Sequence, residues 1–190
     1  MTVNVTVVDD VTQLGKSRVN WLDVSSPGTP ALLDTDAYGT DDIPSRVTVV
    51  LQETQKIRVG YCGQAPGTPC NVENKTPLLL AKNLTSAPIR LRLSRGGVSA
   101  VGAQIVAPGV PSGTVYAPQI WVRTAAGDLF PFQGIKGVAG GLANAKTDPA
   151  PFVGASVTGG DRIVEVCFDA VHASTVQFGW LGIGFLYLRP

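Results

Sequence analysis

Charge is scarce in this sequence. Only 15% of its 190 residues are Asp, Glu, Lys or Arg, and 15 basic against 14 acidic side chains leave a formal +1. Proteins that grip nucleic acid usually carry a basic excess, because counterion release from phosphates dominates their affinity. No such excess is present and no Lys/Arg-rich arm stands at either end. The expectation is no nucleic-acid partner and no RNA-packaging role. Histidine is almost missing: His172 stands alone. Nucleophile-plus-base catalysis needs a base beside its nucleophile, and that base is most often His. A Gly-x-Ser-x-Gly elbow, a His-x-x-x-His pair, a P-loop and a dinucleotide fingerprint are all absent. Gly137 to Gly141 is glycine-rich but lacks the strand-to-helix setting a phosphate loop requires. The chain is therefore expected not to be an enzyme; a carboxylate pair acting on a glycoside is the route left open, and nothing marks out a pair.

Long apolar runs are lacking too. Phe178 to Leu188 is among the longest, far short of the roughly 20 residues a spanning helix needs, so no membrane insertion is expected. Met1 to Thr6 shows no basic-then-apolar leader. Cysteine is limited to three positions. Cys62 and Cys70 flank a segment dense in turn formers, Gly63 to Pro69, which suits a disulfide that would imply an oxidising compartment; two free thiols are the alternative. With a single pair and no His nearby, zinc is not expected. Cys167, alternating with Glu165 and Asp169, reads as a free structural thiol.

What the chain does have is apolar content, turn formers and alternation. Apolar residues make up 44%, which argues against disorder, and a chain of this length buries roughly 70% of its unfolded surface without needing a metal to fold. Glycine (22) and proline (14) are plentiful and aperiodic, as many short strands require. Val3, Val5 and Val7 alternate with polar neighbours. Val47 to Leu51 and Ile57 to Tyr61 read as a pair joined through Glu53 to Lys56. In Ile89 to Leu93 three aliphatics face a core while Arg90 and Arg92 face out. Further strands are expected over Val115 to Val122, Leu129 to Gln133, Phe152 to Val157, Ile163 to Phe168 and Phe178 to Leu188. Gly134 to Pro151 reads as a mobile loop, with a helical turn over Leu142 to Lys146 as the alternative. No repeat or internal boundary shows, so residues 1–190 read as one all-β domain, an antiparallel β-sandwich of jelly-roll type.

Candidate functional residues fall in loops and on rings. Asp34, Asp36, Asp41 and Asp42 form an acidic loop around Tyr38 and Gly39. Calcium takes carboxylate and carbonyl oxygens from such loops, while Asp-rich turns also arise because Asp bonds its own backbone. Asp9-Asp10 is a weaker candidate of the same kind. Aromatic rings stack on sugars and anchor interfaces. Of Trp21, Tyr38, Tyr61, Tyr116, Trp121 and Trp180, most are expected in the core, Trp121 and Trp180 among them. Tyr38 and Tyr61 sit beside turns and are the better ligand-binding candidates, with Asn144 in the long loop. Three Asn-x-Ser/Thr sequons begin at Asn4, Asn74 and Asn83.

From Trp21 to Leu188 the order of motifs resembles bacterial exported jelly-roll proteins, including those that often carry a PEP-CTERM sorting tail. The resemblance rests on Ile89 to Leu93 followed by Val98-Ser99-Ala100-Val101-Gly102-Ala103-Gln104-Ile105, on Val115 to Val122 with Gly127-Asp128-Leu129, and on Phe152-Val153-Gly154-Ala155, Ile163 to Phe168 and Phe178 to Leu188. Two departures stand out. Gly184 occupies a last-strand position where that family often has Asp, and no sorting tail follows Pro190. What the resemblance implies is a secreted or cell-surface sandwich of carbohydrate-binding-like kind. The expected function is a non-catalytic binding module for a glycan or cell-surface polymer. A structural or assembly subunit is the alternative, a homo-oligomer pairing through its terminal strands, Thr2 to Val8 and Phe178 to Leu188.

Overall fold

The computed structural model describes residues 4–23, 36–38, 46–50, 56–61, 70–82, 89–93, 96–108, 110–141, 144–172 and 180–190. Its strands in chain order are β1 (Asn4–Val8), β2 (Arg18–Val19), β3 (Asp36–Tyr38), β4 (Arg46–Val50), β5 (Lys56–Tyr61), β6 (Pro77–Lys82) and β7 (Ile89–Leu93). They continue with β8 (Ala100–Val106), β9 (Val115–Thr124), β10 (Leu129–Gln133), β11 (Gly137–Val138), β12 (Phe152–Thr158), β13 (Ile163–His172) and β14 (Trp180–Arg189). Two short 3-10 turns, Val11–Gln13 and Trp21–Asp23, are the helical elements described.

The strands form two antiparallel sheets packed face to face, the all-β sandwich that alternation predicts. The first runs β1-β12-β8-β14-β6-β5, with β2 also on β14; the second runs β10-β9-β13-β7-β4-β3, with β11 also on β9. Four pairings nest along the chain: β6 with β14, β7 with β13, β8 with β12, and β9 with β10. Successive members of this nest fall on alternate sheets, and β14 with β8 and β13 with β9 then join the pairs side by side.

One core fills the space between the sheets. Val47, Leu79, Leu91, Val101, Ile120, Val153, Phe168 and Ile183 all belong to it, and each large apolar side chain so buried contributes about 1.5–3 kcal/mol. Tyr116 is fully buried there and donates its hydroxyl proton to the Ile105 carbonyl at 2.7 Å, tying β9 to β8 across the sandwich. Burial holds its phenol well above the ordinary value, so it stays neutral. Trp21 is buried as well and donates its indole N–H to the Gly184 carbonyl. That carbonyl lies where β14 shifts register against β8, between Ile183 and Leu186. The extra residue of the bulge frees a carbonyl from the ladder, and Trp21 satisfies it.

Two satellite clusters cover the outer face of the first sheet. Leu78 and Leu80, alternating with Leu79 and Ala81 of the main core, pack with Cys70, Val72, Val106 and Ala150. Leu14 packs on Val8 and Ala100 beside Phe152 and Tyr187. Asn71 fastens the long segment after β11: its side-chain amide donates to Val138 O at 2.9 Å and Asp148 O at 2.8 Å, and its own carbonyl accepts from Ala150 N–H. Within the segment expected to be a mobile loop, Val138, Asp148 and Ala150 are thus bonded to Asn71, and Asp148 N–H closes one turn on the Asn144 carbonyl at 2.8 Å.

One expected pairing is corrected. β4 and β5 do not form a hairpin: β4 pairs β7 and β3 in the second sheet, while β5 pairs β6 in the first. Both strands alternate in the same way, and alternation carries no information about which sheet a strand joins. β14 has β8 along one edge and β6 and β2 along the other, so its described residues offer no edge to another subunit.

Candidate binding face

The outer face of the second sheet carries no satellite cluster among the described residues. Register places the same-face side chains of β9 and β13 opposite one another: Arg123 with Glu165, Trp121 with Cys167, Gln119 with Asp169, Ala117 with Val171. β10 extends these rows with Leu129, Pro131 and Gln133, and β7 with Arg92 and Arg90. The strip begins in a charged cluster, passes an indole, and ends in a groove of mixed polar and apolar lining.

The charged end centres on Glu165, only 8% exposed. Its carboxylate accepts from Arg90 at 2.7 Å and lies 3.6 Å from Arg123 Nε. The bond to Glu165 raises the Arg90 pKa above its ordinary value. Arg92 stands exposed at the next position along β7. Trp121 follows, half-buried between Pro131 and Cys167 in the cross-strand rows. Cys167 is a free thiol that burial, aided by the charge of Glu165, pushes up to about 11. It is neutral at ordinary pH and behaves as a small apolar neighbour.

Asp169 comes next, beside Gln119. Burial pushes its carboxyl up to about 6, partly offset by the N–H of Ala170 donating to it at 2.8 Å. Beyond it, Val115, Tyr116, Ala117, Gln133, Lys136 and Val171 line a groove of about 190 Å³. Val115 and Val171 are each 45% exposed on its rim. At roughly 3.3 Å per residue, the strip from Arg123 to Val115 is about 26 Å long.

The described site candidates from sequence, Asp36, Tyr38, Tyr61 and Asn144, stand outside β7, β9, β10 and β13. Asp34, Asp41 and Asp42 fall outside the described residues, while Asp36 and Tyr38 fall on β3, opposite Thr48 and Arg46 at the edge of the second sheet. Asp10 caps the first 3-10 turn, accepting from Thr12 N–H at 2.8 Å. Tyr61 ends β5 on the other sheet, half-buried opposite Pro77. Asn144 is exposed and its side-chain oxygen accepts from Gly141 N–H at 3.2 Å, a turn-capping role. Tyr38, Tyr61 and Asn144 therefore stand on three separate elements. Of the cysteine pair, Cys62 lies outside the described residues and Cys70 is buried.

Trp121 and Trp180, expected in the core, are half-buried on outer faces instead, Trp180 beneath the Arg58 guanidinium at 4.3 Å. The signal was available for Trp121: it shares parity with Gln119 and Arg123, opposite to core-facing Ile120 and Val122. Hydrophobicity suggested burial, and parity decided which face.

No family model matches the chain, and no curated protein or solved structure matches it either.

Proposed function

We propose that this protein is a non-catalytic binding module whose second-sheet outer face takes a glycan or cell-surface polymer. The observation that carries the proposal is Trp121. Its indole is half-buried on the outer sheet face, flanked by the Arg90–Glu165–Arg123 cluster on one side and by Gln119 and Asp169 on the other. An aromatic platform bordered by hydrogen-bonding groups suits a sugar, whose ring has an apolar face and a polar rim. A strip about 26 Å long suits a chain polymer better than a small ligand.

The carboxylates of the face support binding without turnover. Glycoside hydrolysis sets its two carboxyl groups about 5–5.5 Å or about 6.5–9.5 Å apart. Glu165 and Asp169 share a face four residues apart, about 13 Å along the strand. Glu165 is also held by two arginines.

The nested pairing of β6 to β10 with β12 to β14 supports a jelly roll, a long antiparallel ribbon folded over on itself. A secreted or cell-surface location follows from the same reading, and so does a Cys62–Cys70 disulfide. Thiol titration of unfolded protein then finds one free thiol before reduction and three after.

Intrinsic-fluorescence titration against a panel of neutral, acidic and basic polysaccharides tests the function. Saturable binding that Trp121→Ala abolishes, with the unfolding transition retained, is the expected result. A flat response across the panel, or unchanged binding by Trp121→Ala, overturns it.

A further inference from the structure

We infer that β1 is a self-association edge, pairing antiparallel with β1 of a second copy of this chain. Among the described residues the strand paths end on β1 and β5 in the first sheet and on β10 and β3 in the second, and the two-residue strands β2 and β11 each pair along one edge. Exposed edges invite pairing, and natural sheets blunt them with charge, proline or brevity. All but β1 are blunted that way, β2 and β11 by their two-residue length. β5 carries Lys56 and Arg58, β10 carries Pro131, and β3 is three residues long with Asp36 in it. β1, Asn4-Val5-Thr6-Val7-Val8, has neither charge nor proline, and its register against β12 runs from Asn4 to Val8 without a shift.

Its core-facing side is also unfinished. Val5 and Val7 lie opposite Val157 and Ala155 of β12, both in the main core, yet Val7 is 41% exposed. No described strand flanks β1 on its outer edge to cover it. A second β1 supplies that cover. A two-fold axis at Thr6 sets Val5 against the partner's Val7 and Asn4 against the partner's Val8. No like charges meet in that register, and every pair is reciprocated, as a closed dimer requires. The two first sheets then become one continuous sheet across the axis. The contact is small, so association is weak and depends on concentration.

Sedimentation equilibrium on the full chain tests this with two charge variants of exposed Thr6. Wild type is expected to dimerise as its concentration rises towards about 1 mM. Thr6→Lys and Thr6→Asp each place like charges together at the axis, and each is expected to remain monomeric with its unfolding transition intact. Mixing the two in equal amounts is expected to restore the dimer, which a misfolded variant cannot do. A wild type that stays monomeric overturns the inference, as does association that Thr6→Lys leaves unchanged. A mixture that fails to re-associate overturns the two-fold register.

Discussion

Asp169→Asn is expected to stabilise the protein at and above neutral pH, by an amount that the burial of Asp169 sets. The folded carboxyl titrates near 6, because burial disfavours its charged form. In the unfolded chain it titrates near the ordinary value of about 3.9. Between those values the native protein holds a proton that the unfolded chain has released, so stability falls as pH rises through that window. Below about pH 4 both states are protonated and the penalty vanishes; above about pH 6 it is complete. At about 1.36 kcal/mol per pH unit, a gap of roughly two units makes the ionised carboxylate cost about 3 kcal/mol. Asn cannot ionise, and its side-chain oxygen can still accept from Ala170 N–H. Urea unfolding followed by fluorescence between pH 4 and pH 8 measures the effect. The two proteins should be nearly equal near pH 4 and separate to about 3 kcal/mol by pH 7.5, with unchanged denaturant slopes. A difference that stays constant with pH, or a variant no more stable at pH 7.5, refutes the reasoning.

Other substitutions probe the supports of the face and the sheet beneath it. Asn71→Ala removes two partly buried hydrogen bonds to the Val138 and Asp148 carbonyls. It should cost about 2–4 kcal/mol in chemical denaturation and speed amide exchange across residues 138–150. Glu165→Gln leaves Arg90 and Arg123 without their shared counter-charge; both arginines are over a third exposed, so a loss of only about 1–2 kcal/mol is expected, shrinking in high salt. Gly102→Ala would set a Cβ 2.6 Å from the Phe152 ring and 2.9 Å from Gly154 Cα. A loss of about 1–3 kcal/mol in thermal or urea unfolding is expected.

Alternation revealed most strands because a sheet with one face in the core and one in water writes that contrast into its sequence. Ile89 to Leu93 is the clearest instance: Ile89, Leu91 and Leu93 are buried while Arg92 is exposed. β6 went unread for the converse reason. Leu79 and Ala81 face the main core and Leu78 and Leu80 face a satellite cluster, so a strand buried on both faces reads as a plain apolar run. The partners of β4 and β5 were illegible because pairing is settled by long-range packing. The binding face was legible in parts and not as a whole. Arg90, Glu165, Cys167 and Asp169 each showed outward parity, but register across β7, β13 and β9 brings them beside Trp121, and no local pattern reports register.

Backbone amide chemical-shift mapping tests the central claim most directly, using the polysaccharide that gives the strongest response in the titration panel. The largest shifts are predicted at residues 117–123 of β9 and 165–171 of β13, around Trp121. Shifts confined to residues 70–76 and 144–150, over the first sheet, would contradict the assignment of the binding face.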